Sequence, residues 1–384
     1  MASGAWRLSV WYFAYFAFLG AFIPYFGLYL RGLGIAAFGI GVLLTLMQLM
    51  RLMLPVLWGY LGCYRGGRKT AIVRSALFIA ILAWGAVAAA STFPVLLLAV
   101  ALLALALGVA LPLVESLTLD HLASRPERYS HIRLWGSVGY IVAVQVVGLI
   151  LDATAIAALI GISLLLLTVC FWSSVLLPES PQRLHVAVAS GWRELLGHRG
   201  VAAVMMAGFF MSFAHAPYYA FYSLHLADHG YGKSAIGALW ALGVVVEVLV
   251  FLAMPRLLAA ARITTLLALS LAAAFVRFLL IGWWIELASL AILAQMLHGA
   301  TFGLHHAASM AALNRWVAPA RHPAALALFG SLSFGAGSLC GALLSGALWD
   351  LLGAGPVYTL AACAAMLGLG AFASLGVLRR SVEL

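Results

Sequence analysis

Charged residues are scarce in this sequence: Asp, Glu, Lys and Arg together make up 8% of the 384 residues, against about 25% in a typical soluble domain. So few charges cannot cover a water-exposed surface, and 65% of the residues are hydrophobic. The hydrophobic runs are long and do not alternate with polar residues, which indicates helices rather than strands. A helix needs about 20 apolar residues to cross a bilayer. The composition therefore predicts an all-α integral membrane protein.

Cysteine and metal-binding motifs are also sparse. The sequence has no His-Glu-x-x-His, no Cys-x-x-Cys and no serine elbow. Four cysteines are scattered without paired or metal-ligand spacing: Cys63, Cys170, Cys340 and Cys363. We therefore expect no cofactor, no metal and no enzyme activity. A membrane-embedded hydrolase that uses His298, His305 and His306 is the weakest alternative.

The net charge of +10 does not predict nucleic-acid binding, because the basic residues lie in short gaps between apolar runs rather than in a cluster. Cytoplasmic loops of membrane proteins are enriched in Lys and Arg. With the N-terminus inside, seventeen of the 21 Lys and Arg residues lie on cytoplasmic segments, while Arg31 and Lys233 lie outside. Arg51 and Arg277 remain within the membrane. We predict a multi-pass protein of the cell (inner) membrane with both termini cytoplasmic and the lipid bilayer as its surroundings.

The hydrophobic runs predict twelve transmembrane helices. The polar stretch 178–200 is a predicted cytoplasmic loop that separates a six-helix half, 1–177, from a second half, 201–384. The predicted spans are 9–30, 39–62, 71–90, 94–118, 132–151, 155–177, 202–225, 235–255, 263–282, 287–312, 325–348 and 357–377.

The two halves resemble each other in sequence. Pro24-Tyr-Phe in span 1 returns as Pro217-Tyr-Tyr in span 7, 193 residues later, and Leu134-Trp-Gly-Ser returns as Leu328-Phe-Gly-Ser, 194 residues later. Because six is an even number of spans, the two copies lie parallel in the membrane. Parallel repeats with a substrate site between them are typical of major facilitator transporters. We therefore predict two pseudo-symmetric six-helix halves.

Several charged residues lie inside predicted spans. A charge at the centre of a membrane helix costs about 2.5–3.5 kcal/mol and so needs a partner or a function. These residues are Arg51, Glu115, Arg133, Glu247 and Arg277. Glu247 is the equivalent of Arg51 at a repeat offset of 196, so the two could face each other. Structural alternatives are a cytoplasmic anchor for Arg133, helix-to-helix bonding for Arg277, and a loop arginine paired with Glu115.

Histidines and tyrosines provide further candidates. His298 and His305 are seven residues apart in span 10, about two helical turns, and are expected to share a face. One or two of His298, His305 and His306 are expected only to pack or to form a structural hydrogen bond, His306 first among them. The tyrosines beside Pro24 and Pro217 suit the walls of a cavity for a flat or ring-shaped ligand. They are Tyr25, Tyr29, Tyr218 and Tyr222.

Several segments resemble the major facilitator superfamily. The run Gly59 to Lys69 resembles its signature loop, although Cys63 stands where the signature has an aspartate. Glu115 precedes Arg133 by eighteen residues, as in the lactose permease-like branch. The stretches 24–30, 240–247 and 297–303 resemble the phenylpropionate permease-like branch of proton symporters. The resemblance covers essentially the whole chain.

This resemblance implies a secondary transporter that works by alternating access and couples solute import to protons. It implies substrate contacts for Glu115 and Arg133, and proton coupling for Arg277 and His298. Thr301 stands where the lactose branch has a carboxylate, and span 11 has no lysine. These departures do not favour a galactoside, and they move the predicted proton site to Glu247.

The expected substrate is a small organic solute. Deep arginines complement a carboxylate, which favours an aromatic acid of the phenylpropionate type. Sugars or oligosaccharides, nucleosides, and export of hydrophobic compounds remain alternatives. The predicted substrate set is Glu115, Arg133, Tyr25, Tyr29, Arg51, Tyr218 and Tyr222, and the predicted proton-coupling set is Glu247, Arg277, His298 and His305. We expect the protein to function as a monomer.

Overall fold

A computed structural model of the protein describes residues 4–61, 68–122, 128–180 and 192–374, with side chains except those of 51–61. A helix occupies each of the twelve predicted spans, and the described ranges contain no strand, so the all-α prediction is confirmed. The helices are α1 Ala5–Gly32, α2 Ala37–Leu61, α3 Lys69–Ala89, α4 Phe93–Leu122, α5 Tyr129–Ala153, α6 Ala158–Val175, α7 Trp192–Gly197, α8 Arg199–Asp228, α9 Lys233–Ala260, α10 Ile263–Trp283, α11 Ala288–His298, α12 His305–Trp316, α13 His322–Phe329, α14 Ser338–Leu352 and α15 Ala354–Ser374.

Two of the spans are not uniformly α-helical. The π-helical turn Gly299–Leu304 joins α11 to α12, and a second π-helical turn, Gly330–Gly337, joins α13 to α14. Ten of the described helical stretches are long and apolar enough to cross a bilayer, judged by length and composition. The other two predicted spans correspond to α2 and to the run from α11 through α12. The short helix α7 lies inside the predicted central loop.

The chain groups into two compact units. Unit 1 comprises Met1–Gly34, Val56–Val186 and Gly232–Ala241, and unit 2 comprises Ile35–Pro55, Ala187–Tyr231 and Leu242–Leu384. The start of α9 thus groups with unit 1, and the start of α2 groups with unit 2. The predicted halves keep both helices whole and remain a prediction.

In unit 1, α1 is the central helix and most of it is buried. It crosses α5 where Gly139 lies against the carbonyl oxygen of Phe13, a contact that leaves no room for a Cβ atom. The tyrosine hydroxyls of α1 bond to other helices: Tyr15 donates to the Leu107 carbonyl at 3.1 Å, and Tyr25 donates to the Val144 carbonyl at 2.7 Å. The core of unit 1 is therefore built around α1.

The start of α9 attaches to this same unit. The carboxylate of Asp152, at the end of α5, accepts the backbone N–H groups of Lys233 and Ser234 at 2.7 and 2.8 Å. These groups are among the first N–H donors of α9, which have no partner within their own helix. Asp152 therefore caps α9 from another helix.

Unit 2 repeats this construction around α8. Gly337 lies against the carbonyl oxygen of Phe209 on α8, as Gly139 lies against Phe13. Asp350 accepts the backbone N–H of Ala37 at the start of α2, at 3.1 Å. The two glycines are 198 residues apart, whereas the sequence repeat places this helix at an offset of 194. In this helix the structural contact and the sequence repeat therefore differ in register by four residues.

Candidate functional site

Arg277, in the middle of α10, is 0% exposed. Its Nε donates to the carbonyl oxygen of Ala294 at 2.9 Å, and its Nη1 lies 3.3 Å from Oγ1 of Thr301. Its Nη2 has no hydrogen-bond partner among the described residues. The guanidinium also lies over the ring of Tyr218, with Cζ 4.2 Å from the centroid. Ala294, Thr301 and Tyr218 thus hold the guanidinium of Arg277, and its Nη2 group remains as an unbonded donor within the described residues.

The surroundings of Arg277 do not neutralise its charge. In the described part of the chain it forms no ion pair with a carboxylate. A buried charge is costly unless an opposite charge or several hydrogen bonds compensate it. A positive charge that is buried without an opposite charge is suited to bind an anion.

His215, on α8, is the main side-chain partner of Arg277. Its Nδ1 lies 2.8 Å from the Met211 carbonyl oxygen, and its Nε2 lies 3.2 Å from both Arg277 Nη1 and Thr301 Oγ1. A carbonyl oxygen can only accept, so Nδ1 carries the proton. Arg277 Nη1 can only donate, so Nε2 accepts. These partners select the neutral imidazole.

Tyr218 and Gln295 form the wall next to Arg277. The Tyr218 hydroxyl donates to Oε1 of Gln295 at 3.2 Å, and the ring of Tyr222 packs 4.8 Å from that of Tyr218. Gln295 is fully buried and its Nε2 has no partner among the described residues. An unpaired buried donor is costly, so this wall offers a second donor near the arginine.

Glu247 and His298 meet at the edge of this cluster, with Oε2 of the glutamate 3.8 Å from Nε2 of the histidine. The approach depends on glycines in the neighbouring π-helical turn. A Cβ on Gly299 would lie 2.7 Å from Cγ1 of Val246, and a Cβ on Gly303 would lie 3.3 Å from Cγ of Glu247. Without those side chains α9 can lie close against the turn. π-Helical turns are frequent at functional sites.

Unit 1 contains a separate polar cluster around Arg133. Its guanidinium lies over the Phe16 ring at 4.0 Å and over the Tyr12 ring at 5.5 Å. The charges of Arg133 and Glu115 both act on Tyr12 and Tyr129. Glu115 and Arg133, which are eighteen residues apart in the sequence, are therefore close to the same two tyrosines in unit 1. Arg133 is partly exposed, unlike Arg277.

The remaining predicted residues lie elsewhere. The hydroxyl of Tyr25 contacts two backbone carbonyl oxygens, those of Val144 and Lys233, and Tyr29 stacks on Phe26. The side chain of Arg51 lies outside the described part of the structure, and so does most of the signature-like loop with Cys63.

His305 has a different polar partner from His298. Its Nδ1 is 2.8 Å from Oγ of Ser270 on α10, whereas His298 faces Glu247 on α9. Sequence reasoning expected the two histidines to share a face by assuming an α-helix throughout. The π-helical turn between them changes the rotation per residue, and the expectation that they share a face stays a prediction.

Sequence reasoning missed His215 and Gln295. Both are polar residues inside apolar runs, which is the signal that identified the other candidates. In each of these two spans, however, the prediction was based on neighbouring tyrosines or histidines. An apolar groove of about 670 Å³ lies away from these residues, between α8 and α15.

Proteins of known sequence and structure resemble this chain. The model of the MFS_1 like family matches residues 5–360. A probable 3-phenylpropionic acid transporter from Escherichia coli (strain K12) is 27% identical over 365 residues, or 92% of this chain and 93% of the relative. A maltose permease from Geobacillus stearothermophilus is 30% identical over 161 residues, 41% of each chain. A crystal structure of a mutant of the nucleoside transporter NupG matches with a TM-score of 0.84 at 18% identity, over 97% of this chain and 99% of that one.

Proposed function

Because the chain belongs to the MFS_1 like family of membrane transporters, we propose that it carries small organic anions together with protons. The first substrate class is aromatic monocarboxylates of the 3-phenylpropionate type. The relative from Escherichia coli, similar over nearly its whole length, bears the name of such a transporter. Uptake across the cell inner membrane by a single copy of the chain, with both termini cytoplasmic, completes the proposal.

The observation that carries this proposal is the state of Arg277. Its guanidinium is fully buried, has no ionic partner among the described side chains, and keeps Nη2 unbonded. A carboxylate presents two oxygen acceptors and a negative charge, which match that guanidinium. A neutral sugar or nucleoside would leave the charge without compensation. The ring of Tyr218 beside Arg277 adds a surface for an aromatic group.

The proposed proton carrier is Glu247. Its charged form is disfavoured in the membrane unless a partner compensates it, and His298 lies at 3.8 Å. Protonation and release at this carboxylate would move one positive charge with each substrate anion. Arg277 and His298 lie in the same cluster and would sense that change; His305 is the more distant member of the proposed coupling set.

The polar cluster of unit 1 supplies the second part of the proposed substrate set. Glu115 and Arg133 both lie close to Tyr12 and Tyr129, and Arg133 also lies over the ring of Phe16. A partly exposed arginine on aromatic rings can bind a polar or charged group of a ligand. Arg51, Tyr25 and Tyr29 complete the proposed substrate set, together with Tyr218 and Tyr222 of unit 2.

Transport by the purified protein in proteoliposomes tests the proposal. Labelled 3-phenylpropionate is compared with its neutral amide, a nucleoside and maltose, under an imposed pH gradient and with or without an uncoupler. We expect gradient-driven accumulation of the acid, none of the amide, and collapse with the uncoupler. Accumulation of the amide or of a neutral solute in preference to the acid would contradict the anion assignment. Accumulation that the uncoupler leaves unchanged would contradict proton coupling.

A further inference from the structure

The bond between His215 and Arg277 joins a charged donor to a neutral acceptor. Nδ1 of His215 is committed to the Met211 carbonyl oxygen four residues earlier on the same helix, at 2.8 Å. That bond fixes both the tautomer and the plane of the ring. Nε2 therefore points at Nη1 of Arg277, 3.2 Å away.

Packing holds the ring of His215 in this orientation. The ring of Phe278 meets it edge-on, with centroids 5.1 Å apart and an interplanar angle of 85°. Thr301 closes the remaining side, since its Oγ1 lies within 3.3 Å of both Nε2 and Arg277 Nη1. His215 is only 3% exposed. The acceptor is thus preorganised before any substrate arrives.

A neutral acceptor and an acidic one would have different effects on this arginine. A carboxylate at this place would pair with the guanidinium and compete with an incoming anion. An apolar residue would leave Nη1 with only the longer contact to Oγ1 of Thr301, at 3.3 Å, and would hold the guanidinium less firmly. An imidazole without charge satisfies Nη1 and leaves the positive charge uncompensated.

We propose that His215 is a positioning residue, which orients Arg277 and keeps its charge available for a substrate carboxylate. This inference rests on the proposed function, because it assigns the carboxylate of the transported anion to Arg277. His215 itself touches Arg277 and Thr301, and its effect on the substrate passes through Arg277.

Three variants at one position separate charge, acceptor and shape. His215→Phe keeps a ring without an acceptor, His215→Gln restores a neutral acceptor, and His215→Glu supplies an ionic partner for Arg277. His225→Phe is the matched control, because His225 is also buried on α8 but bonds to the Ile281 carbonyl, away from Arg277.

Substrate affinity is measured as the Kd and the KM for 3-phenylpropionate, alongside the maximal rate. We expect His215→Phe to raise both constants about tenfold to a hundredfold, the range of a lost hydrogen bond to a charged group. His215→Gln should recover most of that loss, and His215→Glu should lose affinity most while folding normally. Equal affinity in the glutamate and glutamine variants would overturn the proposal, as would a lack of rescue by glutamine.

A double-mutant cycle tests the contact without any substrate. The Tm of the detergent-purified protein is measured for His215→Phe, Arg277→Gln and the double variant. Non-additive changes in Tm are expected for a direct bond, and additive changes overturn the positioning role. If the wild type binds no carboxylate, the proposed function is wrong, and Arg277 does not bind a substrate carboxylate. Coupling in the cycle would then still show that His215 and Arg277 are bonded to each other.

Discussion

Arg133 and Arg277 both belong to predicted transmembrane spans, but their surroundings differ. Arg277 is bonded to a backbone carbonyl, a histidine and a threonine, and is fully buried. Arg133 lies on the rings of Phe16 and Tyr12 and stays partly exposed. A planar guanidinium that stacks on rings keeps its N–H groups free at the edges, where a ligand can accept them. Arg133 is therefore the arginine of unit 1 from which we expect direct substrate contact.

Replacement of Arg133 by lysine should weaken substrate binding strongly and leave expression unchanged. A lysine ammonium can neither stack on Phe16 in the same way nor form two parallel hydrogen bonds. The measurement is the Kd for 3-phenylpropionate in purified variants. Arg128→Lys is the control, because Arg128 is exposed just before α5 begins. Near-normal affinity in Arg133→Lys would return Arg133 to the role of a cytoplasmic anchor.

Glu247→Gln should abolish uphill transport and preserve binding and solute exchange, because glutamine resembles the protonated carboxyl group. One proton and one monocarboxylate together carry no net charge, so the pH gradient drives this uptake, and one pH unit corresponds to about 1.4 kcal/mol, or about tenfold accumulation. Accumulation against a gradient and exchange of labelled for unlabelled substrate are measured side by side. Glu286→Gln, at an exposed position, provides the control. Should Glu247→Gln still accumulate substrate in an uncoupler-sensitive way, Glu115 or His298 becomes the proton carrier.

At the scale of single elements, the hydrophobic runs were enough to locate the helices, because lipid leaves a spanning segment no alternative to internal hydrogen bonding. The π-helical turns could not be predicted from the same runs. Residues 299–304 and 330–337 are apolar or small, and such a composition does not distinguish a π-helical from an α-helical turn. The first of these turns lies between His298 and His305. The candidate residues were thus found by their polarity, whereas their grouping required the structure.

Gly299 is the position at which the first π-helical turn is most sensitive to substitution. A Cβ there would lie 2.7 Å from Cγ1 and 3.1 Å from the carbonyl oxygen of Val246, so Gly299→Ala should push α9 away and separate Glu247 from His298. We expect lower proton-driven accumulation and a loss of about 1–3 kcal/mol in stability, typical of overpacking. Accumulation and Tm are the measurements.

Gly330→Ala is the matched control for that substitution. Gly330 is the first residue of the second π-helical turn, and a Cβ there would meet nothing within 4 Å. Since alanine is the better helix former by about 1 kcal/mol, this variant should be neutral or slightly more stable. Equal effects of the two alanines would mean that helix propensity, rather than contact with α9, determines the outcome.

At the scale of the whole molecule, the family resemblance inferred from residues is confirmed by the match over 5–360. The topology inferred from the positive residues still awaits a test. In a variant with the four cysteines replaced, a cysteine at Lys233 should react with a membrane-impermeant maleimide in intact cells. A cysteine at Arg193 should react only after permeabilisation. Labelling at Arg193 from outside intact cells would contradict the predicted topology.

The hydrogen bonds of α1 bear on the order in which the protein is made. Tyr12, Tyr15 and Tyr25 find their partners on α4 and α5, and α5 starts about a hundred residues after α1 ends. At about 5–20 residues per second, a ribosome needs roughly 5–20 seconds to synthesise that stretch. During this interval three hydroxyls of the first helix must be satisfied by lipid headgroups, water or the insertion machinery. Assembly of unit 1 therefore begins with a helix whose partners do not yet exist.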